Sequence, residues 1–136
     1  MKKSTSILFW AVRIVAALIM LQTLYFKFTG AEESIYIFTQ VRMEPFGRIG
    51  VGIMELIASA LILIPATVWA GAALALGLMG GAIMMHLTLL GIEVQGDGGQ
   101  LFLYAVIVAV CSLIAFWLSR KSIPEPIRKF LPSFLQ

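Results

Sequence analysis

The sequence contains one cysteine, one histidine and few charged residues, and each shortage excludes a kind of function. Cys111 stands alone, so the chain by itself can form neither a disulfide nor a C-x-x-C thiol relay. The single histidine, His86, cannot supply two imidazole ligands, and the acidic residues near it lack a ligand spacing, so we predict no metal site. Charged residues make up 12% of the chain, whereas soluble domains contain roughly 25%.

Hydrophobic residues dominate instead, at 60% of the 136 residues, and the mean hydropathy is +0.98. A helix needs about 20 apolar residues to cross the hydrocarbon core of a bilayer. Four stretches are long enough, at residues 7–28, 46–64, 67–90 and 101–118. We therefore predict an all-α polytopic membrane protein that contacts the lipid bilayer, with four transmembrane helices in an antiparallel bundle and residues 1–136 in a single membrane domain.

Basic residues are concentrated outside the first and the last predicted span. They are Lys2, Lys3, Arg120, Lys121, Arg128 and Lys129. Because cytoplasmic segments of membrane proteins are enriched in Lys and Arg, we predict that both termini are cytoplasmic. The net charge of +3 follows from this topology. No basic stripe is interleaved with aromatic residues, so we predict no nucleic-acid partner.

The segments outside the later spans have distinct patterns. Residues 32–42 space Ile35, Phe38 and Val41 like one face of a short helix lying in the membrane interface. Residues 119–136 form a proline-broken cytoplasmic tail. The first span exceeds the roughly 7–15 apolar residues of a signal-peptide core, so we expect it to be retained as a helix.

Glycines in the third span also carry a prediction. Gly77 and Gly81 are four residues apart, a spacing that lets helix backbones approach closely in membranes. The close approach would lie either within the chain or in a homodimer.

Glu55 is a carboxylate inside a hydrophobic run, "RIGVGIMELIAS". An unpaired charge at the bilayer centre costs about 2.5–3.5 kcal/mol on insertion scales. Helical spacing puts Arg13 and Lys27 on one face of the first helix, and the rise per residue puts Arg13 and Glu55 at similar depths. We therefore predict an ion pair between Arg13 and Glu55. This pair either fixes helix register or lines a polar cavity.

A second group of polar residues is expected near the external side. It combines Lys27 and Arg48 with His86, at the end of the third span, and Tyr104, at the start of the fourth. One interpretation is anchoring of these side chains at the membrane interface. The other is a site for an anionic or quinone-like head group, in which Lys27 and Arg48 donate hydrogen bonds and His86 exchanges a proton.

Three stretches carry a resemblance to a known family. They are "LQTLYFKFTGAEE", which contains Lys27, "EPFGRIGVGIMELIASALILIP", which contains Glu55, and "WAGAALALGLMGGAIMMHL". From about Arg13 to the end of the fourth span, the chain resembles the DoxX-like family of small four-helix membrane proteins. That family includes a subunit of an archaeal thiosulfate:quinone oxidoreductase and components associated with oxidative-stress complexes. The resemblance implies quinone-linked redox work in the inner (plasma) membrane.

Two hypotheses of different classes follow. In the first, the bundle encloses a pocket for a quinone or another amphiphile, formed by Arg13, Lys27, Arg48, Glu55, His86 and Tyr104, and Glu55 with Arg13 handles protons. We predict no intrinsic cofactor, because the chain lacks a cysteine pair and a cofactor ligand set. The redox centre would be a bound quinone or belong to a membrane or redox protein partner. In the second hypothesis, the chain is a non-catalytic scaffold or assembly factor, and the ion pair is structural.

Overall fold

The chain folds into helices joined by short turns in a computed structural model, which describes all residues, Met1–Gln136. The helices are α1 (Lys3–Thr29), α2 (Glu32–Gln40), α3 (Phe46–Leu63), α4 (Val68–Met85), α5 (Gln100–Ser119) and α6 (Glu125–Arg128). A π-helical turn, His86–Leu90, extends α4, and 3₁₀ turns occupy Pro65–Thr67, Arg120–Ser122 and Ser133–Leu135.

Four of these helices are long and apolar enough to cross a membrane: α1, α3, α4 with its flanking turns, and α5. The prediction of an all-helical chain with four such helices is therefore confirmed. Some bounds differ from those predicted. Helix α1 begins at Lys3, before the predicted start at residue 7, and regular α-helix in α4 ends at Met85. Helix α2 lies within residues 32–42, where the sequence predicts a short helix.

The core of the bundle is built from small side chains. Helices α1 and α4 each pack against both α3 and α5. Alanines account for much of the buried contact: Ala16, Ala17, Ala58, Ala72, Ala75, Ala105 and Ala115. Only 27 of 136 residues are buried, and many large hydrophobic side chains lie on the outside. This distribution suits a protein in a bilayer, where small residues let helices pack closely and large apolar ones contact lipid.

Helices α3 and α4 are in close backbone contact at Gly71, a position for which the sequence carried no packing prediction. A Cβ atom at Gly71 would collide with backbone atoms of Ala58, Leu61 and Ile62. A Cβ atom at Gly77 or Gly81 would meet no atom of the chain within 4 Å. The prediction of close packing at these two glycines within the chain is therefore wrong, and both remain exposed on α4.

Helix α2 packs on the bundle through a face that only partly matches the predicted one, since Phe38 is buried as predicted but Ile35 is not. Its buried residues are Ser34 and Phe38, whereas Ile35 is exposed. The face that meets α1 and α3 therefore begins at Ser34 and includes Ile37, which lines the cavities described below.

Candidate functional site

A cavity of about 280 Å³ lies between α1, α2, α3, α4 and α5. Its wall is mostly apolar, with side chains such as Ile19, Met20, Phe38 and Val108. Its polar lining residues are Gln22, Thr23, Lys27, Glu33, Ser34, Glu55, His86, Gln100 and Tyr104. A mostly apolar cavity with a few polar groups is the usual form of a small-molecule site.

An ion pair between Lys27 and Glu55 forms part of the cavity wall. The Lys27 ammonium lies 3.1 Å from Oε2 of Glu55, and the Glu55 side chain is only 4% exposed. Thr23 lies one turn before Lys27 on α1 and accepts a hydrogen bond from its ammonium at 3.3 Å. The Thr23 hydroxyl is also 2.8 Å from the Met20 carbonyl oxygen and 3.4 Å from Oε2 of Glu55. The pair thus joins α1 to α3 and gives the buried carboxylate a cationic partner.

The second carboxylate oxygen of Glu55, Oε1, has no hydrogen-bond donor in the protein. Both the ion pair with Lys27 and the hydrogen bond from Thr23 are made to Oε2. Among polar side-chain atoms that are fully enclosed by protein, only Oγ of Ser112 lacks a hydrogen-bond partner. Oε1 of Glu55 also lacks a partner but is not in that group, so it is not fully enclosed by protein. Glu55 lines the cavity, and Oε1 is its oxygen without a protein donor. The cavity therefore offers a strong acceptor beside a lysine.

His86 faces the same cavity from the π-helical turn after α4. Its Nδ1 lies 2.9 Å from the Gly91 carbonyl oxygen, and its ring stacks edge-on against Phe102 at 5.7 Å between centroids. A carbonyl oxygen only accepts, so Nδ1 must carry the proton. The other nitrogen, Nε2, has no partner in the protein, although His86 is only 6% exposed. In the neutral ring Nε2 is an acceptor, and in the protonated ring it is a donor.

The Tyr104 hydroxyl also lines the cavity, where it accepts a hydrogen bond from the Gln100 side-chain amide at 2.7 Å. Its own proton has no acceptor in the protein. Tyr104 can therefore donate to a bound molecule.

At the edge of the cavity, the carboxylate of Glu33 on α2 lies near Asp97, in the glycine-rich loop that precedes α5. Asp97 accepts hydrogen bonds from the backbone N–H groups of Val94, Gly99 and Leu101. Burial acts to raise the pKa of Asp97, but these three donors outweigh it and, with nearby His86, hold the pKa below its ordinary value. Burial, and then the Asp97 carboxylate, raise the pKa of Glu33 above its ordinary value.

The raised pKa of Glu33 predicts a pH-dependent stability effect. The folded state binds the proton of the Glu33 carboxyl group more tightly than the unfolded state does. Ionisation of Glu33 therefore destabilises the fold, and this loss is complete at pH values above the folded-state pKa. The effect disappears as the pH falls below the ordinary value of 4.5. We expect Glu33→Gln to raise the melting temperature near pH 7.5, with a gain that shrinks toward pH 4. Thermal unfolding in detergent across this range measures it, and Glu32→Gln controls for loss of one charge. A gain that is constant with pH would contradict the assignment.

The predicted ion pair between Arg13 and Glu55 is wrong. Arg13 is buried, but its guanidinium donates to the carbonyl oxygens of Ile62 at 2.8 Å and Leu63 at 2.9 Å. These carbonyls belong to the last turn of α3, which has no intrahelical donors for them. The cation also lies 3.9 Å from the centroid of the Trp10 ring. Arg13 therefore caps α3 and does not line the cavity.

Arg48 also lies outside the cavity, contrary to its predicted position at the external opening. Its Nε lies 3.0 Å from both carboxylate oxygens of Glu44, and its NH1 group donates to the carbonyl oxygen of Lys27. Both arginines thus cap the C-terminal turn of a neighbouring helix, where a cation is favoured by the helix dipole. Of the six predicted site residues, the structure brings together Lys27, Glu55, His86 and Tyr104.

Five polar residues of the cavity were missed by the sequence reasoning: Gln22, Thr23, Glu33, Ser34 and Gln100. Thr23 lies four residues before Lys27, so helical spacing alone could have placed it beside the lysine. Glu33 and Gln100 stand outside the predicted spans, and their positions depend on how the connecting segments fold. No group of three His, Cys, Asp or Glu side chains is arranged to hold a metal ion.

No protein-family model, curated protein or solved structure matches this chain. Its class follows from the fold: four long apolar helices and a lipid-compatible outer surface make it a multi-pass membrane protein. Membership of the DoxX-like family stays a prediction from the quoted stretches.

Proposed function

We propose that this DoxX-like membrane protein binds a quinone or another amphiphile in the cavity and serves as a membrane subunit of a redox system. The observation that carries the proposal is the half-partnered carboxylate of Glu55, buried beside Lys27 in the wall of a mostly apolar cavity. An ionisable residue inside a membrane bundle is costly, and such residues commonly mark functional sites.

The cavity suits a head group with both acceptors and donors. Its volume of about 280 Å³ is close to the lower end, about 300 Å³, of ordinary ligand pockets. Lys27 and Tyr104 can donate to the carbonyl oxygens of a quinone. Oε1 of Glu55 and Nε2 of neutral His86 can accept from the hydroxyl groups of the reduced form. Glu55 is then the proton-handling residue, and a redox protein partner supplies or removes the electrons.

A neutral head group fits the charges better than an anionic one. Two carboxylates, Glu33 and Glu55, line the cavity against one lysine. Lys27 is already paired with Glu55, and Arg48 is engaged by Glu44. An added phosphate or carboxylate would therefore meet no unpaired cation among these residues and would be repelled by both carboxylates.

Mass spectrometry of the organic extract from detergent-purified protein tests this function. We expect a near-stoichiometric quinone or other amphiphile in the wild type and its loss from Glu55→Gln. Glu44→Gln is the matched control, because it changes a paired carboxylate that does not line the cavity. Retention of the same molecule by folded Glu55→Gln would rule out a role for this carboxylate. Absence of any enriched molecule from folded wild-type protein would refute the proposal.

The alternative function is a non-catalytic scaffold, and the helix-joining contacts of Lys27 and Arg13 favour it. A charge swap, Lys27→Glu with Glu55→Lys, distinguishes the two. If the Lys27–Glu55 ion pair is structural, the swapped protein should be as stable as the wild type. If the protein is a scaffold, the swapped protein should also keep its function. A ligand site should lose its ligand, because the carboxylate would then project from α1 into a different part of the cavity.

The proposed topology places both termini in the cytoplasm and the chain in the inner membrane. The terminal basic residues support this orientation through the enrichment of Lys and Arg in cytoplasmic segments. An antiparallel order is supported by the contacts of α1 with α3. Arg13, early in α1, meets the last turn of α3, whereas Phe28, at its end, lies against Gly52.

A further inference from the structure

A second cavity, of about 260 Å³, lies between α2, α3 and α4 and has a different character from the first. Its lining contains no charged side chain apart from the titratable His86. The rest of the lining is aliphatic, aromatic or methionine side chains, with two glycines of α4, Gly77 and Gly81. Nothing in this cavity except His86 offers a side-chain hydrogen bond, so it suits hydrocarbon.

The two cavities adjoin each other. They share six lining residues: Ile37, Phe38, Val51, Leu78, Ala82 and His86. Only 6% of His86 is exposed, and its Nε2 has no hydrogen-bond partner in the protein. An unpartnered nitrogen at the boundary between a polar and an apolar cavity is suited to hold the end of a head group where its hydrocarbon chain begins.

The second cavity reaches the outer surface of α4 at two glycines. Gly77 and Gly81 are exposed, and a Cβ atom at either position would meet nothing within 4 Å. Helix α4 belongs to a membrane-crossing segment, so its outer surface contacts lipid. Bare backbone at these two positions leaves the side of the cavity open toward the acyl chains.

We infer that the second cavity holds the hydrocarbon chain of the same ligand whose head group occupies the first, and that the chain leaves toward lipid past Gly77 and Gly81. This inference rests on the proposed function and specifies its ligand as a neutral head group with a single long apolar tail. At about 30 Å³ per water-sized group, the cavity has room for roughly eight or nine chain carbons before the tail enters the bilayer.

The tail gains little free energy from this cavity, because lipid is as apolar as the cavity wall. The two glycines therefore govern which ligands can enter, more than how tightly a head group binds. Filling the cavity should exclude long-tailed ligands and spare those without a tail. This difference separates a tail channel from a head-group site.

Binding of two quinones to purified protein tests the inference: a dimethoxy-methyl-benzoquinone without a side chain, and its decyl derivative. We expect wild-type protein to bind both. Gly81→Leu and Gly77→Leu should weaken binding of the decyl compound by about tenfold or more, or about 1.4 kcal/mol, because the leucine side chain takes the place of the tail, and leave the tail-less compound unchanged. Gly80→Leu is the matched control, since Gly80 is exposed on the same helix but lines neither cavity.

Each other result overturns the inference in a recognisable way. If Gly81→Leu binds both compounds as the wild type does, the tail leaves elsewhere, while the proposed function stands. If both compounds are weakened equally, the glycines affect the head group. If the leucine variants convert a dimer into a monomer, by native mass spectrometry, with decyl binding unchanged, the glycine face is a contact between two copies. If folded wild-type protein binds neither compound, quinone binding itself fails.

Discussion

Replacing Lys27 with Met should lower the free energy of unfolding by up to about 3–5 kcal/mol, the usual cost of removing one partner from a buried ion pair. The reason is the position of Glu55, whose side chain is 4% exposed and has Lys27 as its only cationic partner. Thr23 remains beside the carboxylate, but its single proton is closer to the Met20 carbonyl oxygen. Equilibrium unfolding in mixed detergent micelles measures this loss.

The double variant Lys27→Met with Glu55→Leu should recover much of that stability, because it removes both charges and leaves apolar groups of similar size. Lys121→Met is the control for losing an exposed lysine and should have little effect. Wild-type stability in Lys27→Met would mean that Glu55 does not depend on this partner. Equal losses in the single and double variants would show that packing by the lysine stem, and not the charge pair, is what the substitution removes.

The helices were predictable from the sequence because hydrophobic length alone determines them in a membrane protein. The four long apolar segments follow from this rule, and the short helix in residues 32–42 follows from the helical spacing of its apolar residues. The close approach at Gly71 was not predictable in the same way. Gly71, Gly77 and Gly81 all lie on α4, and only the direction in which α3 packs decides which glycine faces a neighbour.

The site was only partly predictable, and the error at Glu55 has a physical cause. Helical spacing correctly placed Arg13 and Lys27 on one face of α1, and both contact α3. Helical spacing within α1 does not determine how far α3 is shifted along its axis relative to α1. Arg13 proves to lie level with the last turn of α3, about 12 Å along that helix from Glu55 at 1.5 Å per residue. The Lys27 side chain leans toward the N-terminus of α1, as helical side chains do, and so reaches Glu55.

The role found for Arg13 predicts the second large effect. The last turn of α3 has four carbonyl groups without intrahelical partners. The Ile64 N–H donates to the carbonyl oxygen of Ala60, and the Thr67 hydroxyl donates to that of Leu61. Arg13 donates to the carbonyl oxygens of both Ile62 and Leu63. Arg13 is 1% exposed, so little water can replace a donor lost at this position. Arg13→Met should therefore destabilise the fold by about 1–3 kcal/mol for each abandoned carbonyl.

Arg13→Lys should fall between Met and the wild type, because an ammonium keeps the charge at the end of α3 but lacks the planar fork that reaches two carbonyls. Arg120→Met removes an arginine that stacks on Trp117 and donates to its carbonyl oxygen near the surface. It should cost much less, since water can replace that donor. Unfolding measured for the three variants compares them directly. Arg13→Met should also keep any ligand of the cavity when it is folded, because Arg13 lies outside the cavity wall. Ligand loss from folded Arg13→Met would show that Arg13 contributes to ligand binding and is not only a cap of α3.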